Sequence, residues 1–499
     1  MTVLAWEAHL PAGAQAGDLD LTAKGSLPSA WVGVWASAPS APTLFDRDRG
    51  WIHAERLEEA TRRVAGRLQG AGLEPGDRML FSAEPSLELV IAHVAALRSG
   101  IVVVPANTAY REREVAHIVT DARPKVALLD DHDRARWTRA AAGPGTVVVG
   151  PDVDLPDHEP AVLDAVAPED PALIVYTSGT TGSPKGAVLT HANLLAGSES
   201  AGLAWRWTAS DRLVLALPLF HVHGLCVGLH GTLLAGASAV LLPHFDVDSV
   251  LDATGAHGAS LFFGVPTMYH RLARSSRVGE LAALRLCVSG SAPLPAELHR
   301  TLAERGGQHV IERYGMTETL MNVSNPYDGE RRAGSVGLPL PGVELRLSNG
   351  QDGEIQLRGP NVFPGYWERS NATAECFRDG WFCTGDLGAL DPDGYLRILG
   401  RSKELIISGG FNVYPREVEE VLLAHPAVAE VAVVGTPSDE WGEVVTAFVV
   451  PSGDAPPAES LVTFAAGQLA PFKRPRLLHF VDALPRNALG KVLKHELAR

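Results

Sequence analysis

Residues Tyr176-Thr-Ser-Gly-Thr-Thr-Gly-Ser-Pro-Lys-Gly-Ala187 bring five Ser/Thr hydroxyls, three glycines and one lysine together directly after the apolar run Ala172-Leu-Ile-Val175. That composition handles phosphate. Glycines let backbone N–H groups approach an anion with no Cβ in the way, the hydroxyls of Thr177, Ser178, Thr180, Thr181 and Ser183 donate, and Lys185 adds a point charge. A nucleoside triphosphate is the natural ligand. The loop is not a Walker P-loop, because the spacing Gly-x4-Gly-Lys-Ser/Thr counted from Gly179 places Pro184 where the second glycine belongs. Most short Gly/Ser stretches are solvated turns, so partners elsewhere in the chain must carry the assignment.

Four further groups have chemistry. His221 and His223, in Pro218-Leu-Phe-His-Val-His-Gly224, would face one side of an extended strand. No carboxylate or cysteine at matching spacing completes a metal site, which favours substrate contact from a loop after a strand; two structural histidines are the alternative. Ser289-Gly290-Ser291 ends the apolar run Leu284-Arg-Leu-Cys-Val288 and offers permissive backbone at a sheet's carboxyl edge. Glu312-Arg-Tyr-Gly-Met-Thr-Glu318 combines a ring for stacking on a base, a glycine for close approach to phosphate, and a hydroxyl and a carboxylate, with Glu318 suited to magnesium. Asp386, after Thr384-Gly385, suits ribose hydroxyls, although an aspartate capping a turn is commoner.

Alternating strands and helices must position these groups. Residues 57–68 carry apolar side chains at helical spacing, 79–81 read as strand, 87–97 as helix and 101–105 as a buried strand. Helix 115–120 and strands 126–129 and 146–149 follow, then an acidic, proline-containing connector over 151–171. Beyond the loop come helix 191–197, strands 212–217 and 237–242, helix 247–254, the apolar stretch 261–269, strand 284–288 and helix 297–305. This alternation predicts a wound, largely parallel α/β sheet. Short alternating runs at 344–347 and 354–358, among prolines and glycines, predict a small β subdomain. We expect a large N-terminal α/β domain over 1–400, a hinge at 401–403 and a smaller α/β C-terminal domain over 404–499. Residues 1–42 lack periodicity and are expected to be partly irregular, with no chemistry assigned.

Composition narrows the partners. A chain of 499 residues with 46% apolar residues can bury two or more cores. A net charge of −15 argues against nucleic acid or an anionic membrane as the main partner, while the basic end, 472–476 through 486–491, suits polyanions such as ATP or coenzyme A. Four scattered cysteines, an N-terminus without a basic, apolar leader and no long apolar stretch point to a cytoplasmic protein with no membrane insertion.

In this order the motifs resemble those of the adenylate-forming superfamily, which holds acyl-CoA synthetases, peptide-synthetase adenylation domains and firefly-type luciferases. The resemblance is strongest to malonyl-CoA and methylmalonyl-CoA synthetases, which share the runs Glu-Arg-Tyr-Gly-Met-Thr-Glu-Thr and His-x-His-Gly-Leu. It implies activation of a small carboxylate by ATP to an acyl-adenylate, followed by thioester formation with coenzyme A. It further implies that Thr177, Ser178, Gly179, Thr180, Thr181, Gly182 and Lys185 hold the β- and γ-phosphates. Gly290, Ser291 and Ala292, with Glu312, Arg313, Tyr314, Gly315 and Met316, would form the rest of the nucleotide site, Tyr314 lying against adenine. Thr317 would take phosphate, Glu318 and Thr181 Mg²⁺, and Asp386 and Arg401 the ribose. Lys491 matches the lysine that bridges carboxylate and α-phosphate. Lys403 falls at the hinge of a mobile C-terminal domain, and Ser408, Gly409, Gly410, Lys473 and Arg474 would meet coenzyme A.

His221, Val222, His223, Ser289, Arg313, Met316 and Arg271 are the candidates for the acid site. A dicarboxylate needs a buried positive partner, since an unpaired buried charge costs several kcal/mol. Arg313 is the first candidate, and Arg271 and Arg285 are lesser ones. A methyl group beside Val222 and Met316 is worth only about 1–3 kcal/mol, which leaves malonate and methylmalonate both open. Residues 406–415 resemble general acyl- and aryl-CoA synthetases more closely, so a short-chain, medium-chain or aryl acid is the alternative. A carrier-protein partner would go with an amino-acid-activating aspartate in 220–223, where none stands. A non-catalytic relative would be expected to lose Lys491 or Glu318, and both are present.

Overall fold

Aliphatic and β-branched runs become strands that can be buried on both faces, and the amphipathic segments between them become the covering helices. In the computed structural model, which describes residues 6–177, 184–408, 411–438, 441–487 and 491–497, the chain forms two compact units. The first comprises Met1–Leu294, Leu298–Leu345 and Leu357–Phe382; the second comprises Pro295–Glu297, Arg346–Gln356 and Cys383–Arg499. The second unit therefore takes in residues 383–400, upstream of the expected hinge. There the strand Leu396–Arg401 pairs back onto Trp381–Leu390.

One sheet of the first unit has seven strands. Val147–Val149, Val126–Leu129, Arg78–Ser82, Val102–Pro105 and Pro171–Thr177 are mutually parallel, while Lys185–Thr190 and Gly365–Tyr366 are antiparallel additions. The helix Glu112–Ala122 covers it, packing Val115, Ile118 and Val119 against Leu80, Val102 and Val104. The second sheet has nine strands. Within it Ser238–Leu241, Arg212–Leu215, Leu261–Gly264, Leu286–Ser289 and Ile311–Tyr314 run parallel, so Ser289 and Tyr314 end up on one carboxyl edge. Phe262, Tyr269, Leu272, Cys287 and Leu302 fill the core beneath it.

Residues 6–42 are partly irregular, as expected, but also hold a helix. Ser26 caps a helix, Leu27–Ser37, whose Trp31 and Trp35 are buried, and the segment before it is tied down by Trp6 Nε1–H donating to Val343 O at 2.8 Å. The 218–224 segment is the loop after a strand, Arg212–Leu215, and not an extended histidine pair. It turns at Gly224, where a Cβ would come within 2.3 Å of Pro218 O, and a π-helix, His223–His230, begins.

The second unit pairs Phe411–Val413, Ile406–Ser408, Gly442–Pro451 and Val428–Ser438 in one sheet, with Leu477–Phe480 parallel to Gly442–Pro451. The helices Pro415–Leu423 and Ala458–Ala466 bury Val418, Leu422, Leu461 and Ala465 on it. Among the described residues, no helix is long and apolar enough to cross a membrane.

Candidate active site

Unpaired polar groups gather where Leu286–Ser289 and Ile311–Tyr314 end. Arg313 is 5% exposed, and neither its Nε nor its Nη2 has a hydrogen-bond partner among the described residues. Burial pulls its pKa down to about 9. The guanidinium fits because residue 290 is glycine: a Cβ there would lie 2.3 Å from Arg313 Nε and 2.4 Å from Cζ. Ser289 Oγ and His223 Nε2 are likewise buried without partners among the described residues. Ser291 adopts φ +69°, a conformation unusual outside glycine, and its Oγ lies 3.4 Å from His223 Nδ1. Buried polar atoms are normally satisfied, so these orphaned atoms in one neighbourhood indicate a polar ligand.

The histidines beside Arg313 are neutral. Burial first and the Arg313 charge second pull His221 down to about 4 and His223 well below its ordinary value. The His223 backbone N–H donates to His221 Nδ1 at 3.3 Å, which leaves the His221 proton on Nε2. Val222 is buried between them. Local cation and neutral donors together suit a carboxylate. Arg271 stands apart: it is exposed and lies over Phe245, 5.0 Å from the ring centroid. Arg285 is committed to Asp211, with Nε and Nη2 each at 2.6 Å from a carboxylate oxygen.

The phosphate-type loop leaves and re-enters a hairpin. Thr177 pairs with Lys185, and Thr177 Oγ1–H donates to Lys185 O at 3.4 Å. Ser178, Gly179, Thr180, Thr181 and Gly182 lie outside the described residues. The loop's exit is held by His117 Nε2, 2.9 Å from Pro184 O, and its entry by Tyr176 OH donating to Asp121 Oδ2 at 2.7 Å. Glu312 anchors the neighbouring edge, its Oε1 accepting the Leu294 N–H at 3.0 Å. Beyond it, Tyr314, Met316 and Thr317 are half-buried and Gly315 makes a tight turn, with room for no Cβ beside Leu320 O at 2.0 Å. Ala292, next to Ser291, is exposed.

Glu318 is 7% exposed and accepts a hydrogen bond from Tyr366 OH on Oε1 at 2.9 Å. Tyr366 was not among the sequence candidates; its only signal was a Gly-Tyr pair placed to extend the loop's sheet. The Glu318 carboxylate and the hydroxyl of its sequence neighbour Thr317 are hard oxygen donors. They fit Mg²⁺, which keeps several waters and shares substrate phosphates, rather than a transition metal.

Within the second unit, Asp386 and Arg401 are cross-strand neighbours with Arg401 Nε 2.8 Å from Asp386 Oδ1. Lys403 lies on the short turn Ser402–Glu404. Lys491 accepts from the Asn487 N–H on its backbone O at 2.9 Å and donates its own N–H to Asn487 Oδ1 at 3.0 Å. The residue as a whole is exposed, yet crowding of its ammonium first and Arg401 second lower its pKa. The same two causes lower Lys403. Ser408 is buried at a strand end, and Gly409 and Gly410 lie outside the described residues. Lys473 pairs with Glu417 at 2.7 Å, and Arg474 donates to Leu469 O and Ala466 O, capping the helix Ala458–Ala466.

Comparison with known proteins finds the same organisation. Residues 34–367 match the AMP-binding enzyme family, and residues 417–491 match the AMP-binding enzyme C-terminal domain. The crystal structure of ATP-bound MatB from Rhodopseudomonas palustris is 41% identical and superposes with a TM-score of 0.90, covering 95% of this chain and 98% of that one. Malonate–CoA ligase from Arabidopsis thaliana is 36% identical over 87% of this chain and 79% of its own length. Feruloyl-CoA synthase from an Amycolatopsis species is 37% identical over 93% of this chain and 96% of its own.

Proposed function

The chain belongs to the AMP-binding enzyme family as an ATP-dependent acyl-CoA ligase, and from that premise we propose that its acid is a short dicarboxylate, malonate or methylmalonate. The observation that carries this is the buried Arg313 guanidinium, whose Nε and Nη2 lack partners among the described residues. A monocarboxylic chain would leave that charge buried and unpaired, whereas a second carboxylate completes it. Neutral His221 and His223 donate to the same acid without adding a competing charge. Val222 and Met316 border its C2 substituent.

The reaction asks mostly for positioning and charge stabilisation. One carboxylate oxygen of the acid attacks the α-phosphorus, the bond to the β-phosphate oxygen breaks, and pyrophosphate leaves. Lys491, kept accessible, bridges the attacking carboxylate and the α-phosphate and screens their mutual repulsion. Lys185 and the hydroxyls from Thr177 to Thr181 hold the departing pyrophosphate. Tyr314 stacks on adenine, Asp386 accepts from the ribose hydroxyls, and Arg401 holds Asp386. Glu318, with Thr317 and Thr181, would hold Mg²⁺, which would neutralise triphosphate charge. In the second half-reaction the coenzyme A sulfur attacks the acyl carbon and AMP leaves. Residues 401–403 act as the hinge on which residues 404–499 turn between the steps, and the 408–410 segment meets the pantetheine.

Pyrophosphate release should be measured with malonate, methylmalonate, octanoate and ferulate, each with and without coenzyme A. Malonate or methylmalonate should give the highest kcat/KM. A signal from octanoate or ferulate with none from either dicarboxylate would leave the family assignment standing and remove the substrate assignment.

A further inference from the structure

We propose that Tyr366 is a positioning residue of the triphosphate site, joining the loop lysine Lys185 to the carboxylate Glu318; this rests on the adenylation reading above. Its hydroxyl donates to Glu318 Oε1 at 2.9 Å, and the Lys185 ammonium sits 5.4 Å from its ring centroid. One ring therefore serves two groups of opposite charge. Its edge oxygen fixes the carboxylate rotamer, while its face attracts the cation.

The ring is itself held from several directions. Tyr366 pairs with Ala187 across the antiparallel strands, two residues from Lys185, so tyrosine and lysine share one sheet edge. Its backbone N–H donates to Thr373 Oγ1 at 2.9 Å, and Phe363 packs edge to face against it with ring centroids 4.9 Å apart. The Phe363 N–H also donates to Glu318 O at 2.9 Å, so the same short segment grips Glu318 by backbone and by side chain. Gly365, at φ +152°, permits this: a Cβ there would lie 2.5 Å from Thr373 Cγ2. A tyrosine serving only the core would need none of these polar partners. The one seen here fixes the separation between the lysine that meets the phosphates and the carboxylate that meets the metal.

The test uses the full chain with Mn²⁺ as the probe and α,β-methylene-ATP, which cannot be cleaved at the reacting bond. Mn²⁺ binding is followed by electron paramagnetic resonance and metal-free nucleotide binding by calorimetry. Tyr366→Phe should weaken Mn²⁺ about tenfold, the order expected for a hydrogen bond to a charged group, while metal-free nucleotide affinity and apo melting temperature hold. In a Glu318→Gln background the same change should add less than about twofold, because the coupled partner is gone. Tyr366→Leu should also weaken metal-free nucleotide about threefold through the lost Lys185 contact. Wild-type-like Mn²⁺ affinity in Tyr366→Phe, or an undiminished effect in the Glu318→Gln background, would overturn the proposal while leaving the adenylation reading intact. Failure of the wild-type chain to bind the nucleotide at all would overturn that reading and the proposal with it.

Discussion

Replacing Arg313 by methionine should make the protein more stable and less able to use a dicarboxylate. The guanidinium is 5% exposed, and the burial that pulls its pKa down to about 9 costs the charged form several kcal/mol. Methionine fills similar space without the charge. Exchanging buried charge for packed apolar atoms stabilises by about 1–4 kcal/mol, so the melting temperature of the ligand-free variant should rise by a few degrees. In the bound state the same exchange strands the second carboxylate. Removing one partner of a buried pair costs about 3–5 kcal/mol, which predicts a loss of roughly 10²–10⁴-fold in kcat/KM for malonate. Propionate and butyrate carry no second charge and should lose little or gain. The assays are a thermal melt without ligands and pyrophosphate release with each acid. An equal loss on malonate and butyrate, or a lower melting temperature, would refute the role of Arg313 as the counter-charge.

Two other predictions follow from the same groups. Lys491→Ala should reduce pyrophosphate release by at least about a hundredfold, while thioester formation from supplied acyl-adenylate and coenzyme A stays within a few-fold; comparable losses in both assays would remove Lys491 from the reacting centre. Acid should unfold the first unit early. Burial lowers His9 and His191 to about 4 and His93 to about 3, and puts His223 and His230 well below their ordinary value. Because these folded-state values lie below the unfolded 6.5, stability is whole above pH 6.5 and falls as pH drops through the window beneath it. Each such histidine contributes about 1.4 kcal/mol per pH unit there, moderated where His93 and His230 share a 2.8 Å N···N contact. The urea midpoint should therefore collapse between pH 6.5 and 5, and a midpoint unchanged over that range would contradict the neutral buried histidines.

Local order made much of the site legible. The loop at 176–187 and the 312–318 run combine residue types whose chemistry depends on near neighbours, and each is reached from a strand, Pro171–Thr177 and Ile311–Tyr314. What depended on packing was hidden. The proline that opens 218–224 signals a loop after the strand, but only the approach of Gly224 to Pro218 O explains why the chain turns there into a π-helix. Arg313 was visible as a charge, but its unpaired Nε and Nη2 and the vacancy that glycine 290 leaves for them are properties of the folded core. The strand Lys185–Thr190 was overlooked because it opens with lysine and glycine, poor strand formers that its hairpin with Pro171–Thr177 overrides. The helix Leu27–Ser37 mixes glycine, serine and tryptophan with no polar face, so periodicity gave no signal. Tyr366 lies far along the chain from both Lys185 and Glu318; the sheet register brings it to Lys185, and a side-chain hydrogen bond in the fold brings it to Glu318.

Oxygen-18 transfer tests the central claim most directly. Malonate labelled in its carboxyl oxygens is incubated with ATP, Mg²⁺, coenzyme A and the wild-type chain, and the nucleotide and phosphate products are weighed by mass spectrometry. Attack of a carboxylate oxygen on the α-phosphorus, followed by thiolysis at the acyl carbon, leaves one labelled oxygen in AMP and none in pyrophosphate. The account predicts that distribution together with malonyl-CoA. Label in inorganic phosphate with ADP as the nucleotide product, or AMP free of label, would contradict it.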